Sequence, residues 1–377
     1  MTHPVDTGPR LYFPALDGLR FLAFLLVFAR HTLGPQDNSM VAFAVEFGWS
    51  GVDLFFLLSS FLFFAMLSAE NDKNGQINFR FFYLRRILRI IPLYFLYIAI
   101  VWSIGYAYGT PGNTIWSLLA YLTFTINLLW GWTSERWSFF MGNHLWTIAY
   151  EEQIYLVLPF IIAAIIGTKG RLKIALAALL VAACISAWLR WYITSHGLMV
   201  SENTVYMTPF LRAETVIAGI ICGMAWASDI YKRVPSWVYG IVTLLIIVSL
   251  WLYTREYGFS QFNHRNGLIV YPILALLFSA LLLYCLSEES YLARILALGP
   301  IAYLGKISYG LYIWHFFIAR WIPPRVAKYF ELDVTYGLMF VIGLVLTILV
   351  AAASYHLYER RFIRLKDRFT FVRNRPA

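Results

Sequence analysis

Eleven stretches of this 377-residue chain are apolar over about the length that crosses a bilayer. They lie near residues 13–33, 44–68, 84–106, 115–131, 146–166, 171–193, 210–227, 236–253, 267–286, 297–320 and 335–358. A hydrocarbon layer about 30 Å thick offers no water to backbone N–H and C=O groups, so only helices or closed barrels can hold such runs. No soluble domain, internal repeat or low-complexity tract separates them. The chain therefore reads as an all-α polytopic membrane protein, one transmembrane domain over residues 1–377 that ends in a basic tail over 360–377. Hydrophobic residues make up 60% and charged residues 13%, about half the charged fraction of an ordinary soluble domain.

The net charge of +10 would suggest a nucleic-acid partner in a soluble protein. Here the basic residues cluster at span ends, where they orient the chain in a bilayer, and no nucleic-acid role follows. Cys184, Cys222 and Cys285 lie in apolar stretches and fit neither a disulfide framework nor a metal-ligand spacing. The first apolar run has no small-residue cleavage site after it and reads as a retained span, not a signal peptide.

The loops test the number of crossings. Asn71–Arg89 (one Lys, four Arg), Thr168–Lys173, Ser228–Arg233 and the chain from Arg360 onward are basic, which assigns all four to the cytoplasmic side. Three spans from a cytoplasmic start leave Tyr106–Thr114, which has no Lys or Arg, outside. Thr168–Lys173 must be inside again, so 115–166 should cross only once. Residues 115–131 are therefore expected to dip in and return, or to lie at the surface. The count becomes about ten transmembrane helices plus a re-entrant or interfacial helix, multi-pass in a cytoplasmic (inner) membrane with both termini cytoplasmic. Two outer loops depart from the charge rule, 254–266 with Arg255 and Arg265 and 321–334 with Arg325 and Lys328.

An ionisable group inside a span is expensive and marks a candidate site. Arg20 and His31 stand eleven residues apart in the first span. On a helix eleven residues advance three turns plus roughly 20° and rise about 16 Å, so the two side chains point the same way about half a hydrocarbon thickness apart. That spacing suits a site reached from both sides of a membrane. His31, nearer the outer end, has the chemistry of a general base towards an acceptor hydroxyl. Arg20, deeper, suits an anionic group such as a phosphate on a donor entering from below. The bland alternative is that both pair with carboxylates on neighbouring spans. Arg30 points about 100° away from His31, and Asp17 is a local partner or helix cap for Arg20.

Six ordered segments carry a family resemblance. "FPALDGLRFLAFLLVFARH" resembles the opening of the acyltransferase-3 family of integral membrane acyltransferases, whose signature is an Arg, ten residues, then a His. "GWSGVDLFFLLSSFLFF" (48–64) is similar to the family's glycine–valine–aspartate–aromatic block, with Ser60 where glycine is more usual. "FRFFYLRRILRIIPLYF" (79–95) resembles the Arg-rich approach to the third span. "HLWTIAYEEQIYLVLP" (144–159) resembles a block with serine where this chain has Thr147, and Glu152 matches the block's glutamate. "KISYGLYIWH" (306–315) resembles the late Ser-Tyr, Tyr, Trp-His block. "SYHLYERRF" (354–362) resembles the terminal Glu-Arg block, with Arg361 in place of proline.

The resemblance implies a ten-helix fold that moves an acyl group, most often acetyl, from cytoplasmic acyl-CoA to a hydroxyl. The implied acceptor is a glycan, a lipid-linked sugar or a macrolide, and no metal is implied. Some members carry an extra extracytoplasmic esterase-like domain; none is read here, which favours transfer completed within the membrane domain. Glu152 would orient His31 through its second nitrogen, the alternative being a helix-terminal acid. Arg85, Arg86 and Arg89 share a helix face suited to clamping CoA phosphates, although topology signalling explains them as well. Tyr312 and His315, three apart with Ser308 and Tyr309 before them, would line the donor tunnel or pack the core. Asp53 is expected to pair with a buried arginine. Arg212 and Glu214 would line the acyl path or pair with other intramembrane charges.

Trp130, Trp132 and Trp137, with Trp146 closing the stretch, are placed at the outer surface. There they would stack on sugar rings or sit in a headgroup belt. His144 is a second acid/base candidate or an interfacial residue. No phosphate-cradling glycine loop, zinc spacing or nucleophilic serine elbow occurs, so direct transfer from the thioester is favoured. The rival readings are a transporter of a glycan or small anion with Arg20 and His31 on the substrate path, and a non-catalytic membrane sensor. A transporter should show matching broken halves, and none are visible.

Overall fold

The structure, a computed structural model, describes residues 11–34, 39–133, 139–167, 172–257, 264–287, 289–331 and 335–370. The described residues form helices and no strands. In chain order these are α1 (Pro14–Thr32), α2 (Ser39–Phe47), α3 (Gly51–Asn74), α4 (Phe79–Ala107), α5 (Ile115–Leu122), α6 (Ile126–Trp132), α7 (Trp146–Gly167), α8 (Leu172–Ser195), α9 (Asn203–Met207), α10 (Glu214–Ala227), α11 (Ser236–Tyr257), α12 (His264–Cys285), α13 (Tyr291–Leu296), α14 (Gly299–Lys306), α15 (Ser308–Tyr329), α16 (Tyr336–Ser354) and α17 (Arg360–Lys366).

Seven of these helices are long and apolar enough to cross a membrane, or eight if the bent pair α5 and α6 counts as one span. The chain is a multi-pass membrane protein. Ten crossings are not reached on length and apolarity, and the shortfall has a physical origin. Helices α1 and α15 have span length, but each carries three charged residues: Asp17, Arg20 and Arg30 on α1, and Arg320, Arg325 and Lys328 on α15. Helix α10 is apolar but only 14 residues long, about 21 Å. The helices that depart most from a lipid-facing composition are those that carry the site.

The segment expected to dip and return is broken. Helices α5 and α6 meet at 118°, and neither is long enough to cross. The break sits at Phe124, whose φ of 55° lies in the left-handed region. It is held by Gln153, which donates from Nε2 to the Phe124 carbonyl (2.7 Å), and by the Phe124 ring stacked on Tyr94 (4.8 Å).

Helices α3 and α10 pack closely because α10 offers Gly219 and Gly223, four residues apart, to α3. A Cβ at Gly219 would collide with the Leu57 carbonyl, and one at Gly223 would meet Phe64 at 2.7 Å. Small residues at this spacing let helix backbones approach in lipid, where the hydrophobic effect gives no help.

The Arg-rich end of the bundle is built around Glu70. Its Oε1 accepts from the Asn78 backbone N–H (2.8 Å) and its Oε2 from Arg85 (3.0 Å), while Asn78 caps α4 by accepting from the Phe81 N–H (3.0 Å). Arg85 also donates to the Phe369 carbonyl (2.9 Å). The chain beyond Arg360 is therefore more than a free basic tail: α17 and the turn after it dock on α4. Residues 371–377 lie outside the described residues.

Candidate active site

Two cavities approach one another through the bundle. The first, at the Arg-rich end, is lined by five basic side chains (Arg20, Arg85, Arg86, Arg89 and Lys366) against two carboxylates, Asp17 and Glu151. The helix-face expectation for Arg85, Arg86 and Arg89 holds, and Arg20 joins them from α1. Arg85 is committed to Glu70 and Phe369, whereas the Arg86 guanidinium lies over the Phe63 ring at 4.1 Å with no partner for its Nε among the described residues. Arg20 keeps a 3.6 Å ion pair with Asp17, the local partner expected. Val52, Phe55, Phe56, Ser59, Leu62 and Met66 follow one face of α3 down this cavity. From Met66 to Val52 is 14 residues, about 21 Å of helix. Ser308, Tyr309 and Tyr312 line it from α15.

The second cavity is lined by His31, Arg30, His144, Phe316, Arg320 and the aromatic group Trp49, Trp130, Trp146 and Tyr206. His31 Nδ1 lies 2.9 Å from His315 Nε2, and His315 Nδ1 lies 2.6 Å from the Tyr312 carbonyl. A carbonyl oxygen can only accept, so His315 Nδ1 carries the proton. In a neutral ring His315 Nε2 is then the acceptor, and His31 Nδ1 must donate to it. That chain of donors leaves His31 Nε2 as the lone-pair nitrogen, on a residue that lines the cavity. His144 stands at right angles to His315, ring centroids 5.0 Å apart, and donates from Nε2 to the Ile313 carbonyl (3.1 Å). Its Nδ1 is buried without a partner among the described residues. Phe316 fills the space between His31 and His144, at 5.2 and 5.1 Å.

Several expectations need correction. Glu152 does not orient His31: His315 occupies the second nitrogen. Glu152 lies five residues along α7 from Thr147, lines neither cavity and has no partner for its Oε1 among the described residues. His315 is not on the donor tunnel wall but fully buried behind His31. Arg212 and Glu214 line neither cavity. Arg212 forms a two-point ion pair with Asp53 and donates to the Tyr206 carbonyl (3.1 Å), and Glu214 pairs with Arg190. Asp53 thus has the buried arginine expected of it.

Among the tryptophans, Trp130 lines the histidine cavity. Trp132 does not, donating instead to Thr208 Oγ1 (3.0 Å), and Trp137 lies outside the described residues. Arg320 was missed, although the rule that flagged Arg20 applies equally to a charged residue five positions after His315. Trp49 and Tyr206 were missed because aromatic residues on apolar helices carry no local mark of a cavity.

A helical membrane bundle with an Arg-lined cavity meeting a histidine- and tryptophan-lined one defines a class, and comparison with known proteins places the chain within it. The acyltransferase-3 model, described as an acyltransferase domain, matches residues 13–356, and the chain belongs to that family. A peptidoglycan O-acetyltransferase of Listeria monocytogenes is 26% identical over 84% of this chain and 50% of its own length. A putative O-acetyltransferase of Staphylococcus aureus (strain COL) is 27% identical over 93% of the chain and 57% of its own. A putative peptidoglycan O-acetyltransferase of Bacillus subtilis is 26% identical over 93% and 54%. The chain thus spans about half the length of these curated relatives. No solved structure matches it.

Proposed function

We propose that the protein is a membrane O-acyltransferase that carries an acetyl group from cytoplasmic acetyl-CoA to a hydroxyl of a cell-wall glycan, with His31 as general base. The observation that carries this reading is the meeting of two unlike cavities beside a histidine whose Nε2 is left as a lone pair. Arg20, Arg86, Arg89 and Lys366 offer charge to the CoA phosphates at the basic end, and the α3 face beyond them suits the phosphopantetheine arm. Trp130, Trp146 and Tyr206 offer flat faces to sugar rings on the other side. The relatives' names supply the glycan, and the basic loops supply the orientation, with the Arg-lined mouth cytoplasmic.

In this scheme the acceptor hydroxyl sits between His31 Nε2 and the thioester carbon. His31 takes the proton as oxygen attacks, and the imidazolium is steadied through Nδ1–H by His315, itself fixed on the Tyr312 carbonyl. Holding both substrates in line can supply roughly 7–11 kcal/mol of the barrier. The test is transfer of labelled acetyl from acetyl-CoA to peptidoglycan fragments by protein in nanodiscs. His31→Ala should lower the rate about 10²–10⁴-fold. Undiminished transfer in that variant contradicts the assignment of the base.

A further inference from the structure

The two cavities have three lining residues in common: Val52 on α3, Thr147 on α7 and Tyr312 on α15. Each is at least nine-tenths buried, with 5%, 5% and 7% exposure. The Thr147 and Tyr312 hydroxyls lie 2.6 Å apart, and both also reach the His144 carbonyl at 3.0 Å. The hydroxyl protons are therefore used within the wall, and that side of the partition is tied to the backbone just before α7. Phe55 packs edge-on against the Tyr312 ring, 6.0 Å between centroids, and limits its swing towards the basic cavity. The third side is the branched side chain of Val52, one turn before Phe55 and Phe56 on the face that descends the donor cavity.

We propose that Val52 sets the size of the acyl group this protein transfers, as the movable wall of a slot whose other side is the bonded Thr147–Tyr312 pair and through which the acyl carbon reaches His31. The inference rests on the donor reading above. In the step concerned, the acceptor oxygen bonds to the acyl carbon and the thioester C–S bond breaks. The hydroxyl proton passes to His31 Nε2 and from there to the departing sulfur, giving free CoA thiol. The acyl carbon must occupy the partition while its chain remains on the donor side, against Val52 and Phe55. A methyl fits such a slot, and a longer chain meets the Val52 γ-methyls. Thr147 and Tyr312 are held by their shared bonds, so Val52 is the wall whose truncation widens the slot without undoing that network.

The experiment compares acetyl-, propionyl- and butyryl-CoA as donors for the parent, Val52→Ala and Val52→Thr in nanodiscs, with free CoA binding measured for each. Val52→Ala should raise the butyryl-to-acetyl rate ratio at least about 10-fold, since one methylene in a fitted pocket discriminates by roughly 10–200-fold. Val52→Thr, which keeps the branched shape, should leave that ratio where it is in the parent. CoA binding should be alike in all three. An unchanged ratio in Val52→Ala with intact CoA binding overturns the proposal and leaves the donor reading standing. A folded parent that binds neither CoA nor acyl-CoA overturns the donor reading, and this inference with it.

Discussion

Between α3, α8 and α10 the buried charges pair with one another away from both cavities, whereas between α1, α4, α7 and α15 they line the cavities. In the first region Asp53 meets Arg212, Glu214 meets Arg190, and aromatic rings close over them: Tyr206 and Tyr271 lie 4.4 and 4.8 Å from the Arg212 guanidinium. None of the four charged residues lines either cavity. In the second region Arg20, Arg86, Arg89 and Glu151 line one cavity, and His31, Arg30 and Arg320 line the other. A charge near the middle of a bilayer costs at least about 2.5–3.5 kcal/mol, and the two regions meet that cost differently. The first offsets it internally and stiffens the bundle. The second turns its charged groups towards the two cavities. Ionisable residues in spans thus divide by whether they line a cavity, and neither hydropathy nor position along the helix separates the two kinds.

The sharpest way to break this contrast is to unpair the closed region. Asp53→Ala should destabilise the protein by about 3–5 kcal/mol, because it strands Arg212 in a buried site, and should show as a large fall in thermal midpoint in detergent. The double variant Asp53→Leu with Arg212→Met should recover much of that loss, since apolar residues can replace a buried pair. Recovery of stability with transfer retained would confirm that the pair serves the fold alone. In the open region, Arg86→Met should leave the thermal midpoint nearly unchanged and weaken acyl-CoA binding by about 1.5–3 kcal/mol, the worth of a charged hydrogen bond. If Arg86→Met instead unfolds the protein, Arg86 belongs with the closed region. His315→Ala should lower kcat by about 10–100-fold with the KM for acyl-CoA unchanged, as expected when a residue acts by orienting another. His315→Gln, whose side-chain carbonyl can accept from His31 Nδ1, should restore part of the rate. A KM effect in place of a kcat effect would move His315 from behind the base to the donor path.

Much of this was legible along the chain, and the limits are specific. The Arg20–His31 register follows from 3.6 residues per turn, and the turn at 115–131 follows from the balance of basic loops, which the 118° bend between α5 and α6 matches. That Asp53 would take an arginine followed from the cost of burying it alone. Which arginine did not follow, because 159 residues separate it from Arg212. The same holds for His31 and His315, 284 residues apart. Glu152 was expected beside His31 because a carboxylate is the usual orienting partner, and helix spacing cannot say to which neighbouring helix a side chain on α7 turns. The partition at Val52, Thr147 and Tyr312 involves one branched apolar residue and two hydroxyls on three helices. No periodicity in any one helix marks it.

The most direct measurement follows acetyl-CoA binding and slow release of free CoA thiol, without acceptor, in the folded parent and in His31→Ala. Both proteins should bind acetyl-CoA with similar affinity, because His31 lies beyond the partition from the phosphates, and only the parent should release thiol. Equal thiol release in the two, or no acetyl-CoA binding in a parent shown to be folded, would contradict a donor path that brings the thioester to His31.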